Sequence, residues 1–335
     1  MANIVKLGFA PLVDCAIPVV AAEKGFAAAE GLDLRVERAP SWAALRDKLA
    51  FGLVDGAHIL APLALALHQG IAGVPATPLL VPVSLGLGNN AITLSLDLYE
   101  RMHAAAPEVM AGPPALRARA LRSVIDADRA AGKPPLSFVT VFHFSCHHYE
   151  LLKWLADGGI DGRSDVNIGV IAPPRMVESL AAGWIDGYCA GEPWNQRAVQ
   201  RGIGQVVVTK ADIRPDGLEK VLGLRADWAE EHPAQVAALI RAIVKAADWS
   251  RDPANRAELA RLLAGAQYVG LPADLIELTL NGAIPAPHRN RPDTADAHRL
   301  LLEMTAAEQL DLSEAERGAL AAAVWRPDLY DEAVG

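Results

Sequence analysis

The chain is poor in cysteine and in positive charge, and it lacks a long apolar run. Each shortage removes a class of protein. Only three cysteines occur in 335 residues (Cys15, Cys146 and Cys189), with no CxxC pair or Cys/His ladder. A disulfide framework and a structural zinc site are therefore not expected, and a reducing compartment suits the chain best. Lys and Arg number 31 against 40 Asp and Glu, a net charge of −9. Direct nucleic-acid binding needs a basic footprint to neutralise phosphate and is not expected either. A small anion held by local donors is compatible with the acidic total. The longest apolar stretch near the start, Leu7 to Ala22, is broken by Pro11, Asp14 and Pro18, so no membrane insertion is expected. The opening Met-Ala-Asn-Ile-Val-Lys-Leu has no basic region followed by an apolar core and a small-residue cleavage site. The expectation is a cytoplasmic protein.

What is present is material for cores: 52% of residues are hydrophobic and 21% charged, enough for about two compact units at this length. Ile4–Phe9, Leu32–Glu37 and Ala57–Leu60 read as short buried strands, with a helix over about Pro18–Glu30 between the first two. Ser41 is a candidate N-cap for a helix running to Phe51, with Trp42, Leu45 and Leu49 on one stripe. Pro62 suits the first turn of another helix. An Ala/Arg-rich helical stretch, Leu98–Ala130, is interrupted at Gly112-Pro113-Pro114. The middle repeats the alternation with strands at Ser137–Phe142, Val166–Ile171 and Gly187–Ala190, and helices at His147–Ala156, Pro174–Ala182 and Pro193–Arg201. After a strand at Lys220–Leu224, helices dominate, most clearly Ala226–Ser250 and Pro253–Gly265. Such alternation predicts an α/β fold with mainly parallel sheets and a helical C-terminal region.

One internal similarity organises the rest. Leu49-Ala50-Phe51-Gly52-Leu53-Val54-Asp55-Gly56, followed by Pro62, matches Leu180-Ala181-Ala182-Gly183-Trp184-Ile185-Asp186-Gly187, followed by Pro193, at a constant offset of 131 residues. The period is too long for a solenoid and suits two equivalent α/β lobes. The expected division is 1–92 with 210–335 as lobe 1 and 93–209 as lobe 2. Ligands of open α/β sheets bind beyond the carboxyl ends of the strands, where helix N-termini offer free N–H groups. A small anion in the interlobe cleft, enclosed by hinge motion, is the ligand class this arrangement favours.

Five ordered motifs carry a family resemblance: Leu7-Gly8-Phe9-Ala10-Pro11-Leu12-Val13-Asp14-Cys15, Ser41-Trp42-Ala43-Ala44-Leu45-Arg46-Asp47-Lys48, Asp55-Gly56-Ala57-His58-Ile59-Leu60-Ala61-Pro62, Gly88-Asn89-Asn90-Ala91-Ile92-Thr93 and Gly191-Glu192-Pro193-Trp194-Asn195. Over residues 4–250 the chain resembles the nitrate- and bicarbonate-binding branch of ABC-transporter solute-binding proteins, which implies a two-lobed type II periplasmic-binding-protein fold. The resemblance implies five ligand-binding residues. Trp42 matches a tryptophan that packs its ring and indole N–H on the planar anion. Asn90 stands where the family usually has a glutamine donor. His147 matches a histidine donor at a helix start, and Gly191 supplies a backbone N–H. Lys220 matches the lysine of nitrate binders, where calcium-dependent bicarbonate binders have an acid, so no metal and no cofactor are implied. Nitrate and nitrite are flat monoanions that only accept hydrogen bonds, so a rim of donors, an aromatic face and one cation suit them. His58 and Glu192 read as orienting or structural residues.

Cys146 beside His147 suggests a thiolate with a base, but neighbours at a helix start face different ways and no orienting acid accompanies them, so no enzyme is expected. The missing leader and Lys220 together resemble the NasS-type nitrate/nitrite sensors. That family implies an antiterminator partner with an RNA-binding ANTAR domain, held or released as nitrate or nitrite binds. The alternative is the solute-binding component of a nitrate, nitrite or bicarbonate ABC transporter.

Overall fold

Two five-stranded sheets hold all named strands among the described residues, 3–280 and 290–335 of the computed structural model. In chain order the strands are β1 (Asn3–Phe9), β2 (Leu32–Arg38), β3 (Gly56–Leu60), β4 (Leu79–Gly86), β5 (Ala91–Ser95), β6 (Ser137–Thr140), β7 (Asn167–Val170), β8 (Gly187–Ala190), β9 (Gly204–Thr209) and β10 (Lys220–Arg225). The chain divides into a first unit, Met1–Gly88 with Phe144–Cys146 and Gly217–Gly335, and a second, Asn89–His143 with His147–Asp216.

The first unit's sheet has the order β2-β1-β3-β10-β4 and the second unit's β7-β6-β8-β5-β9. In the first, β2, β1 and β3 pair in parallel while β10 runs antiparallel to both β3 and β4. In the second, β7, β6 and β8 are parallel and β5 runs antiparallel to both β8 and β9. Four of the five strands in each sheet thus point one way, but each sheet is mixed, because the reversed strand is inserted between two that agree.

The 131-residue repeat has a physical basis at every step. Asp55 accepts from the Lys6 N–H at 2.7 Å through its side chain and donates its own N–H to the Lys6 carbonyl at 2.9 Å. Asp186 does the same with Ser137, at 2.7 and 2.8 Å. Each aspartate therefore ties the loop entering one strand to the strand's parallel neighbour. Gly52 and Gly183 end their helices at φ +66° and +70°, a conformation that penalises any Cβ. At Gly56 a Cβ would stand 2.7 Å from the Gly223 carbonyl of β10, and at Gly187 one would stand 3.0 Å from the Thr93 carbonyl of β5. The reversed strand crowds the same position in both units.

Several expected helices are divided. The helix anticipated at 18–30 is two, Ala16–Glu23 and Phe26–Ala29, separated at Gly25 with φ +76°. The one anticipated at 226–250 is Ala226–Glu231 followed by Pro233–Arg251, since Pro233 cannot donate to a continuing helix. Strands β4, β5 and β9 carry no expectation from the periodicity. In the first unit, Val5, Leu7 and Phe9 of β1 share a core with Leu239, Ile240 and Ile243 of the long helix. In the second, Ile92, Leu94, Phe138 and Trp154 do so, each such residue contributing about 1.5–3 kcal/mol by burial. The C-terminal part of the first unit is helical, with Thr294–Ala306, Glu314–Val324 and Pro327–Val334. Among the described residues no helix is long and apolar enough to cross a membrane.

Candidate functional site

In the first unit, four elements bring polar side chains into one fully buried cluster. The turn after β1 supplies Asp14, and the Ser41 side chain caps the helix Trp42–Ala50 by accepting from Ala44 N–H at 3.1 Å. That cap fixes Trp42 at the helix's first position. β3 supplies His58, and the entry to β10 supplies Glu219 and Lys220. All five side chains are at most 1% exposed. Lys220 Nζ lies 2.9 Å from Asp14 Oδ2 and 3.1 Å from Glu219 Oε1, and 5.5 Å from the centre of the Trp42 ring, a cation–π arrangement. His58 Nε2 is 3.5 Å from Asp14 Oδ1.

Charge in this cluster is strongly biased. Burial by itself would push the Lys220 ammonium down, but Asp14 and Glu219 more than reverse this and hold its pKa above the ordinary lysine value. Burial pushes His58 down to about 4; Asp14 opposes this and Lys220 adds to it, so the imidazole is neutral near pH 7. The ammonium of Lys220 already faces two carboxylates. The Trp42 indole Nε1–H is buried and has no hydrogen-bond partner among the described residues. An orphaned buried donor costs about 1–3 kcal/mol, and an acceptor brought in by a ligand relieves it.

The other three expected residues belong to the second unit. Asn90 precedes β5 and Gly191 follows β8. These strands pair antiparallel with Ala91 opposite Ala190, so the register carried one residue further sets Asn90 beside Gly191. His147 lies in the first turn of the helix Cys146–Asp157 and is fully buried. One turn later, Glu150 Oε2 accepts from Asn90 Nδ2 at 3.0 Å, and its Oε1 lies 3.4 Å from Lys210 Nζ. The amide at 90 is therefore oriented by a buried carboxylate. Next to Gly191, burial raises the Glu192 carboxyl to about 7 against the Gln196 N–H that stabilises its ionised form.

A family model described as the NMT1-like family matches residues 2–264. The chain belongs to the NMT1-like family. One relative of this NMT1-like chain is the nitrate/nitrite binding protein NrtA of Synechococcus elongatus, 34% identical over 288 residues, covering 84% of this chain and 62% of the relative. Another is the bicarbonate transport ATP-binding protein CmpC of Synechocystis, 38% identical over 275 residues, covering 82% of this chain and 39% of the relative. The chain thus spans less than two thirds of the length of either. The crystal structure of the periplasmic nitrate-binding protein NrtA from Synechocystis PCC 6803 matches with a TM-score of 0.87 at 25% identity, over 99% of this chain and 88% of that one. The fold of this NMT1-like protein is that of the periplasmic binding proteins.

Cys146 is buried, and its thiol donates to the Leu218 carbonyl at 3.2 Å. Asp14, Glu219, Glu150 and Lys210 were not singled out by sequence reasoning. The signal for Asp14 was available, as a lone acid inside an otherwise apolar stretch. The signal for Glu150 was its place one helical turn after His147. Nothing in the local sequence marks Lys210 as the buried member of its turn.

Proposed function

We propose that this NMT1-like protein binds nitrate or nitrite, using Trp42 and Lys220 from the first unit and Asn90, His147 and Gly191 from the second. The observation that carries the reading is the buried Trp42 indole N–H, without an acceptor among the described residues, beside a buried ammonium. A flat oxyanion that only accepts hydrogen bonds supplies what this pair wants: an acceptor for the donor and a face for the ring. The similarity to a nitrate/nitrite binding protein and to a nitrate-binding crystal structure supports the same ligand.

In this reading the protein is a cytoplasmic sensor whose bound anion favours one conformation, thereby holding or releasing an antiterminator partner with an ANTAR domain. A ligand that bound both conformations equally would switch nothing. A second reading is the solute-binding component of a nitrate, nitrite or bicarbonate transporter, supported by relatives named for transport. Calorimetric titration with nitrate, nitrite, bicarbonate and sulfate, with and without calcium, tests the ligand. Metal-independent binding of nitrate or nitrite is expected, and binding of bicarbonate alone, or only with calcium, overturns the assignment. Loss of a co-purifying antiterminator on adding nitrate is the outcome expected of a sensor.

A further inference from the structure

Gly191 contributes to the proposed site through its backbone N–H, so whatever orients that peptide plane sets the donor. The plane is held from behind. Asn195 Nδ2 donates to the Ala190 carbonyl at 2.8 Å, and Thr93 Oγ1 on β5 donates to Asn195 Oδ1 at 2.8 Å. Both side chains are completely buried. The two bonds fix which end of the Asn195 amide is which, because only its NH₂ end can serve a carbonyl and only its oxygen can accept from the hydroxyl.

The Ala190–Gly191 peptide is trans, unlike the Glu192–Pro193 peptide that follows. In a trans peptide the C=O and the N–H point to opposite sides of the chain. Anchoring the Ala190 carbonyl therefore aims the Gly191 N–H away from Asn195, and a carbonyl that accepts a hydrogen bond polarises the N–H of its own peptide. We infer that the Thr93–Asn195 pair is a positioning device that aims the Gly191 N–H at the bound oxyanion.

The repeat argues that packing alone does not require the device. At the same 131-residue offset, Asn195 corresponds to Ala64 in the first unit, on a helix buried from Ala61 to Leu67 with no polar side chain among them. A buried asparagine placed where the equivalent helix uses alanine needs partners for three hydrogen bonds or more, and here they are Ala190, Thr93 and the Glu192 carboxyl. Tyr188 stands beside the network, donating to the Trp194 carbonyl at 2.8 Å.

This inference rests on the proposal that Gly191 contacts nitrate, and the test separates the two. Nitrate is titrated into the isotope-labelled full chain while the Gly191 amide resonance is followed, with affinity measured in parallel. In the wild type the Gly191 amide moves as the site fills; a resonance that does not respond to bound nitrate overturns the site assignment itself. Thr93→Val, which keeps the side chain's volume, and Asn195→Ala should each weaken nitrate binding by about tenfold, the scale of one misdirected hydrogen bond. Both should also shrink the nitrate-induced shift at Gly191. Thr93→Ser, which retains the hydroxyl, should restore affinity to within about twofold, and the double variant should lose no more than Asn195→Ala alone. If Asn195→Ala does not fold, Thr93→Val and Thr93→Ser decide the matter. Thr93→Val binding nitrate as the wild type does, with an unchanged Gly191 response, overturns the positioning role and leaves the site assignment standing.

Discussion

Replacing Trp42 by phenylalanine separates packing from ligand contact. The substitution keeps an aromatic face over Lys220 but removes the indole Nε1–H, which has no partner among the described residues. In the ligand-free protein two terms oppose each other. The smaller ring leaves a void that costs roughly 1 kcal/mol at ~24 cal/mol per Å³. Deleting an unsatisfied buried donor gives back about 1–3 kcal/mol. The ligand-free variant should therefore be as stable as the wild type or slightly more so. With nitrate the sign reverses, since a hydrogen bond to a charged partner contributes about 1.5–3 kcal/mol, a 10- to 100-fold change in Kd. Nitrate at 100 times the wild-type Kd stabilises the wild type by about 2.7 kcal/mol; at the same concentration the variant should gain only about 0.4–1.4 kcal/mol. Urea denaturation with and without nitrate reads both quantities. A variant stabilised by nitrate as fully as the wild type would refute the claim that this N–H meets the anion.

Three further outcomes are expected. Lys220→Met removes the cation that faces the buried Asp14 and Glu219 carboxylates, and should cost about 3–5 kcal/mol in urea denaturation and abolish nitrate binding; adding Asp14→Asn should recover part of the stability but none of the binding, and recovery of neither would argue against the pair. His58 has a folded-state pKa depressed to about 4, so below its unfolded value the unfolded chain binds the extra proton. The stability from keeping it neutral is complete above pH ~6.5 and declines toward pH 4, by up to ~3 kcal/mol. His58→Gln should flatten this decline, and parallel curves for the two proteins would contradict it. Cys15, Cys146 and Cys189 are all buried, and burial followed by Asp14 raises the Cys15 thiol well above its ordinary value; none should react with a thiol reagent before the chain unfolds, and a fast-reacting native thiol would count against that burial.

The parts of the fold legible in the sequence were those governed by local rules. Ser41 capping a helix, Pro62 opening one and the Gly52/Gly183 stops are each decided within a few residues, and the helix Trp42–Ala50 and the strand Gly187–Ala190 came within a residue of their expected bounds. The repeat was legible because both units use the same aspartate clamp and the same crowded glycine, so one physical constraint appears twice. Strands β4, β5 and β9 were not legible. β5 and β9 pair in one sheet completed by distant residues, and β4 has Pro82 within it, which argues against a strand by local pattern. The reversed strand in each sheet could not be read either, because pairing direction depends on where the chain returns after more than a hundred residues.

The candidate site shows the same boundary. Trp42 and Lys220 could be matched to family motifs, but the carboxylates around Lys220 come from separate elements, Asp14 from a turn and Glu219 from a strand entry. No spacing rule connects residue 14 with residue 220. Asn195 stood inside a recognised motif, yet its task is visible only once Thr93, 102 residues away, is found donating to it.

The strand order has a consequence for synthesis on the ribosome. β10 lies between β3 and β4, yet it is translated only after every strand of the other sheet. Until residue 225 has emerged, β3 and β4 each expose an unpaired edge, an invitation to misassociation. The other sheet needs nothing beyond β9 and can assemble while its companion still waits. A nascent chain from which residue 210 but not yet residue 220 has emerged would therefore carry one finished sheet and, of the other, three paired strands with β4 left alone, and that interval is when a chaperone would find most to hold.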